Sequence, residues 1–336
     1  MSRTHSPLWL SVALVAGLMF GCNGGGDAGT GADGGADEAT LTGYMPEGAV
    51  FPTPETIEAG EYVPLSRPLF LYVRKDSLKR PETVAFLRYY LSEEGQDLVE
   101  ETGYVRLSSA QLQETTKTLE DAIAEAGAPE PGETLTGQVV IDGSSTVSPI
   151  SSAVSEEFSI KNPDVRVPVG TSGTGGGFKK FIAGETDIND ASRPIKESEV
   201  EQCTTNGIEY IELKIAIDGL TVVVNKDNTW LDGLTVADLK KIWEPNSTIQ
   251  KWSEVNPEFP DEPIKLFGPD TDSGTFDYFT EEVCGEGGAS RSDYQQNTDD
   301  NFLVTGVSND ENALGYFGFA YYVENKDKVK ALAIAP

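Results

Sequence analysis

Histidine is almost missing from this chain: of 336 residues, only His5 is one. Ser-His-Asp and Cys-His nucleophilic catalysis, His-ligated zinc and imidazole acid–base chemistry are therefore excluded for everything after the amino terminus. Asp272-Ser273-Gly274 has the outline of a protease serine motif, but no base is available to activate its serine. No S-x-x-K and no G-x-x-x-x-G-K-[ST] occurs, which removes the Ser-Lys route and the P-loop. Cysteine is scarce as well. Cys22, Cys203 and Cys284 form no C-x-x-C pair, so neither a redox nor a zinc motif is present. Positive charge is in short supply: 25 Lys+Arg face 55 Asp+Glu, a net charge of −30. Such a surface repels nucleic acid and anionic lipid heads. It also repels free anions at long range, so an anion site would have to be local, built from backbone N–H groups and an Arg. These absences favour a binding module over an enzyme, with no metal and no cofactor.

Long apolar runs are also lacking. Leu8 to Phe20 spans 13 residues, too short to cross a bilayer of ~30 Å as a helix. With Arg3 before it, the run reads as an export signal over residues 1–22. Its end, Leu18-Met19-Phe20-Gly21-Cys22, resembles the bacterial lipoprotein box, which implies a lipidated, palmitate-bearing Cys22. Ordinary signal cleavage is the alternative. Residues 23–40 hold seven Gly and three Asp and nothing apolar larger than Ala, the composition of a disordered tether. The expected location is outside the cell membrane: the periplasm or a membrane's outer face, with lipid as the only membrane contact. In that oxidising setting Cys203 and Cys284 could form a disulfide or remain two buried thiols.

The rest alternates strands and helices, the pattern of an α/β sheet. Strands are expected at Leu69–Val73, Val139–Ile141, Val165–Val169, Asp187–Ala191, Leu220–Val224, Ile264–Phe267 and Ala313–Phe317. Helices are expected from Pro81 to about Thr102, over Ser109–Ala126, from Pro149 to before Asn162, over Phe178–Ile182, over Val236–Trp243 and after Gly274. Pro129-Glu130-Pro131-Gly132 reads as a linker.

Three Gly/Ser/Thr loops each follow a strand and precede a helix. They are residues 142–147 (with Ser145, Thr146 and Val147), 170–177 (with Ser172 and Thr174) and 270–275 (with Asp272, Ser273, Gly274 and Thr275). Free N–H groups and partial positive charge at helix N-termini, hydroxyl donors, and the close approach that glycine permits would together cage a small tetrahedral oxyanion. Taken singly, each loop could be no more than a helix cap. Arg193, just after a strand, could be a surface charge or the cage's full positive charge, suited to bidentate oxygen contacts.

On these stretches, with Asp187–Pro194, Asp218–Asn225 and Gly315–Tyr321, the chain from Gly137 to Pro336 resembles the phosphate-binding proteins of ABC-type phosphate transporters. The resemblance implies a two-lobed, type II periplasmic-binding-protein fold of mixed, mainly parallel sheets. Inorganic phosphate would be held between the lobes by Ser145, Thr146, Val147, Ser172, Thr174, Ser273, Gly274 and Thr275. It further implies a monomer that delivers its ligand to the permease subunits of the transporter. Sulfate, molybdate or arsenate are alternative ligands, and sensing or scavenging an alternative role. Residues 62–70 resemble the carboxyl-terminal part of that family yet stand first, which reads as a circular permutation with its new junction at 125–136. Lobe 1 would then be 66–217, and lobe 2 would be 41–65 with 218–336. Some family members carry an Asp where Arg193 stands and an Arg just before the S-G-T loop. Here the acid would be Asp270 or Asp272, accepting the proton that phosphate carries and sulfate lacks.

Overall fold

The computed structural model describes residues 42–127, 135–271 and 273–336. The export signal, Cys22, the tether, residues 128–134 of the linker and Asp272 lie outside the described residues.

Thr53 caps α1 (Pro54–Glu58) by accepting from the Thr56 N–H. β1 (Ser66–Arg74) turns Leu69, Leu71 and Val73 to one face and Phe70 and Tyr72 to the other, the two-residue period of a strand buried on both sides. The single helix expected over 81–102 is two, α2 (Pro81–Tyr90) and α3 (Glu93–Glu101). The chain turns between them, where Ser92 Oγ accepts from the Gly95 N–H. Gly95 lies so close to the Tyr89 and Tyr90 carbonyls that an added Cβ would come within 2.3 Å of one of them. α4 (Ser109–Ala126) has the expected bounds; a Ser108/Gln111 capping box starts it and Gly127, at φ 64, ends it.

β2 (Gly137–Gln138), β3 (Ile141–Gly143), α5 (Ser148–Lys161), β4 (Val165–Arg166), β5 (Val169–Gly170), α6 (Thr174–Ala183), β6 (Ile188–Ala191) and α7 (Glu197–Thr205) follow in alternation. The strand expected over 165–169 is split at Val167-Pro168, where proline has no N–H to give a ladder. The next strand begins earlier than its apolar run. β7 (Tyr210–Asn225) starts with an alternating stretch in which Ile211, Leu213 and Ile215 point inward between more exposed neighbours. β8 (Gly233–Thr235), α8 (Val236–Trp243), α9 (Trp252–Val255), β9 (Lys265–Pro269), α10 (Gly274–Phe279), β10 (Gln295–Asn297), α11 (Asp300–Ser308), β11 (Ala313–Gly318), α12 (Phe319–Glu324), β12 (Val329–Ala331) and β13 (Ala333–Ala335) complete the chain.

The main sheet runs β10-β9-β11-β7-β1-β6-β3-β5, with β12 also on β7. Parallel ladders join β9 to β10 and β11 at one end, and β3 to β5 and β6 at the other. Antiparallel ladders hold the middle: β1 pairs with β6 and with β7, and β7 continues onto β11. The expected mixed α/β architecture is present, with four parallel and four antiparallel ladders in the main sheet.

Two large apolar clusters share β7. Leu213, Ile215 and Ala216 belong to the first, with Leu69, Phe86, Ile141 and Ile150. Ile217, Leu220 and Val222 belong to the second, with Tyr62, Leu234, Trp243 and Tyr316. Burying such side chains contributes roughly 1.5–3 kcal/mol each, so each cluster is a core in its own right. Cys203 packs with Phe178 and Phe181, whereas Cys284 packs against the second large cluster. Both thiols are free, and the disulfide considered from the sequence is not formed because its partners lie in different cores.

Two sequence-distant segments meet. β13 pairs with β8, Val50 bridges to Ile334, and a Cβ on Gly233 would lie 2.9 Å from both Met45 Sδ and the Ala333 carbonyl. Residues 43–50 and 333–335 are therefore neighbours.

Gly143 closes β3 at φ 150, where a Cβ would stand 2.1 Å from the Asp190 carbonyl. Gly143→Ala should lower unfolding stability by about 3 kcal/mol, because backbone strain and overlap with the neighbouring strand add. Urea denaturation measures this, and an unchanged midpoint would show that the turn can relax.

Candidate functional site at the strand ends

The three loops of interest leave β3, β5 and β9 and enter α5, α6 and α10. In the first, the Ser144 N–H donates to the Asp190 carbonyl and Ser144 Oγ accepts from the Thr146 N–H at 3.2 Å. Thr146 is thereby held at 4% exposure, Val147 turns its side chain into the first core, and Ser145 faces solvent. Neither α5 nor α6 has a side-chain cap on its N-terminus. In α5 the Ser148 N–H already donates to the Ser144 carbonyl and Pro149 has no N–H, so the first turn of α6 is the richer source of N–H groups, which with the helix dipole favour an anion.

Glycine brings these helix starts together. A Cβ on Gly177, in the first turns of α6, would lie 2.6 Å from Gly143 Cα and 2.0 Å from Asn189 Oδ1. The Ser148 and Thr171 hydroxyls, 2.9 Å apart, tie the first loop to the second. Thr174 Oγ1 accepts from the Ser192 N–H at 3.2 Å, joining the second loop to the end of β6. The third loop closes on the first from the other core: a Cβ on Gly274 would lie 2.9 Å from Thr146 Oγ1 and 3.2 Å from its Cα. Ser273 caps α10 by accepting from the Thr275 N–H.

Thr146, Thr174, Ser273, Gly274 and Thr275 thus sit on loops tied by these contacts. Two other expected residues have different work. Ser172 gives its hydroxyl and its N–H to Asp142, which also accepts from Lys180 Nζ at 2.5 Å. Burial pushes the Asp142 carboxyl upward, but the Lys180 and Ser172 bonds outweigh it and hold it below the usual range. Arg193, whose Nη2 lies 3.8 Å from where a Cβ on Gly175 would stand, pairs with Glu199 in bidentate fashion with both N···O distances 2.9 Å, and donates to the Pro194 carbonyl. Its charge is locally cancelled by a carboxylate that, despite burial, the guanidinium holds below its ordinary pKa. Among the described residues at 270–275, Asp270 has an interaction partner and is not a free acid.

A guanidinium that the loop-based reading passed over lies at the first loop. Arg67 Nη2 donates to Thr146 Oγ1 at 3.3 Å, and Arg67 Nε donates to Asp218 at 3.4 Å. Its Cζ stands 3.6 Å from the centroid of Tyr278. Asp218 is 4% exposed; burial raises its carboxyl above the usual range, with Arg67 opposing. The sequence carried one signal for this pair, an acid inside the otherwise uncharged run from Ile215 to Val224. A cavity of about 750 Å³ elsewhere is lined by Glu58, Glu93, Glu100 and Glu324 with Arg106, a charge balance unsuited to an anion.

With fold and loops described, the class follows: residues 128–334 match the model of the PBP superfamily domain, and the chain belongs to that superfamily. It is similar to Protein SphX of Synechocystis sp. (52% identical over 58% of this chain and 59% of that one). It is also similar to the Phosphate-binding protein PstS of Staphylococcus saprophyticus (47% identical, 59% of this chain and 60% of that one). The chain therefore spans about 60% of the length of these relatives. Among solved structures it resembles a possible phosphate binding protein from Planctomyces limnophilus, at 57% identity and a TM-score of 0.58. That match covers 60% of this chain and 71% of that one. The periplasmic-binding-protein fold expected from the motifs agrees with the superfamily matched.

Beneath the first loop, Asp190 is fully buried, and neither carboxyl oxygen has a hydrogen-bond partner among the described residues. Burial pushes it up to about 8, against the nearby Ser151 hydroxyl and with Asp142 adding to the rise; Tyr90 is the other titratable group that feels it. A raised carboxyl favours folding while protonated in both states and loses that contribution as pH climbs from about 4 to its folded value. Wild-type stability should therefore fall relative to Asp190→Asn between about pH 4 and pH 8. Urea unfolding at both ends of that window tests the sign, and parallel pH profiles would contradict it.

Proposed function

We propose that this protein binds inorganic phosphate between two lobes, residues 66–217 and residues 41–65 with 218–336. It hands the ligand to the membrane subunits of an ABC-type phosphate transporter. It works as an exported monomer tethered by lipid on Cys22, and as a binding protein rather than an enzyme. The observation that carries this reading is the meeting of Thr146 with Gly274. These loops belong to different cores, and the uncapped starts of α5 and α6 adjoin the same place. Thr146, Val147 and Thr174 supply donors from one side; Ser273, Gly274 and Thr275 supply them from the other, with Ser145 at the rim. The relatives named phosphate-binding proteins support the choice of ion.

An acid at Asp270 or Asp272 accepts the phosphate proton and turns sulfate away, since two facing anions in a desolvated cleft are costly. Calorimetric titration of the mature protein should give phosphate heat and little sulfate heat. Thr146→Val should weaken phosphate about tenfold, the cost of one hydrogen bond to a charged group. Asp272→Asn and Asp270→Asn, made separately, should narrow the gap between the ions in at least one case. A wild type silent to phosphate would end this reading.

We further propose that the chain is a circular permutation of the family's order. Its support is that β1, central in the sheet between β6 and β7, lies outside the matched residues 128–334. A domain without β1 would leave β6 and β7 unpaired at the sheet's middle, an exposed edge. Residues 43–50 already lie beside β13. A rearranged chain running 135–336 and then 42–127, joined by a short Gly/Ser link, should fold cooperatively and bind phosphate like the natural order. Failure of that chain to fold would count against permutation while leaving the ligand untouched.

A further inference from the structure

The positive charge at the loops has two candidates, and the geometry separates them. Arg193 spends three of its hydrogen bonds on Glu199 and Pro194, and its carboxylate partner is close, bidentate and only 12% exposed. An Arg so paired offers an incoming anion little uncompensated charge. Arg67 is held differently. Its one hydrogen-bonded carboxylate, Asp218, is reached through Nε alone at 3.4 Å, and Glu281, 60% exposed, stands 3.8 Å from Nη1. A guanidinium has five N–H donors, and the outer edge of this one is aimed at Thr146.

We propose that Arg67, and not Arg193, is the guanidinium that takes the anion's oxygens, with Asp218 and Tyr278 holding it in position. This deepens the phosphate-binding reading and rests on it. Three contacts from different parts of the chain orient the group. Arg67 and Asp218 are directly paired across the antiparallel β1–β7 ladder, so strand register brings their charges together. Tyr278, in α10, sets its ring centroid 3.6 Å from the guanidinium Cζ and is itself anchored through its hydroxyl to the Pro64 carbonyl at 2.7 Å. Thr146 meets the outer edge from the first loop. The pair also stands where β7 leaves the first core for the second, between Ala216 and Leu220. From there one side chain touches a loop of the first core and a helix of the second. An anion bound by Arg67 therefore draws on both sides of the cleft, as a residue on a peripheral loop could not.

The test is phosphate calorimetry on the full mature protein and its variants, with the ligand-free thermal midpoint recorded for each. Arg67→Gln should weaken phosphate about 100-fold, and Arg67→Lys, which keeps charge but not the fork, about tenfold. Arg193→Gln should stay within about threefold of wild type. If Arg67→Gln does not fold, Arg67→Lys carries the comparison with Arg193→Gln. Asp218→Asn acts through Arg67, so its effect on affinity should nearly vanish in the Arg67→Gln background, a non-additivity that general destabilisation would not produce. Phosphate affinity kept in Arg67→Gln or Arg67→Lys but lost in Arg193→Gln would overturn the assignment. Additive effects of Arg67→Gln and Asp218→Asn would overturn the role of Asp218. A wild type that gives no heat with phosphate would refute the ligand itself, a result distinct from either.

Discussion

The continuity of β7 is the constraint from which the rest follows. One strand of 16 residues carries its hydrogen-bond register through two separate apolar cores, pairing with β1 along its first part and with β11 and β12 along its last. Because side chains alternate with a period of two, the register that buries Leu213 and Ile215 in one core also decides which residues enter the next. The same ladder places Arg67 opposite Asp218 at the passage between cores. The loops that close on each other are thus presented by two bodies whose relative phase is set by a single shared strand.

Polar chemistry is concentrated at the carboxyl ends of β3, β5, β6 and β9, and its arrangement is consistent across levels. Glycine at 143, 177 and 274 removes the side chains that would keep the loops apart. Hydroxyls at Ser148, Thr171, Thr174 and Ser192 tie loop to loop. Helices α5 and α6 start without side-chain caps, although in α5 the Ser144 carbonyl takes the Ser148 N–H and Pro149 has none. Acids cluster beneath: Asp142 is satisfied by Lys180 and Ser172, while Asp190 is buried without a partner among the described residues and held largely neutral. A chain with a net charge of −30 can in this way offer an anion a local field unlike that of its surface.

Much of this was legible before any coordinates. Alternation and proline or glycine punctuation located most of the elements, α4 to the residue, and the three Gly/Ser/Thr loops were marked by composition at strand–helix junctions. What composition missed was conditional on contact. The break at Ser92 depends on Gly95 packing under two carbonyls, and the early start of β7 on a partner strand far away in sequence. Cys203 and Cys284 looked pairable as the two left over, but belong to different cores.

The sequence alone set which residue types are at hand: histidine confined to His5, acids outnumbering cations by 55 to 25, and strand-end loops rich in Gly, Ser and Thr. It also determined the alternating α/β order, because periodicity and helix-start signals are local. Only the tertiary structure decided what each arginine pairs with. Arg67 and Arg193 are equivalent as letters, each preceding a proline beside a strand. Glu199 claims one, while cross-strand register delivers the other to Thr146, and pairing of that kind is a property of neighbours distant along the chain.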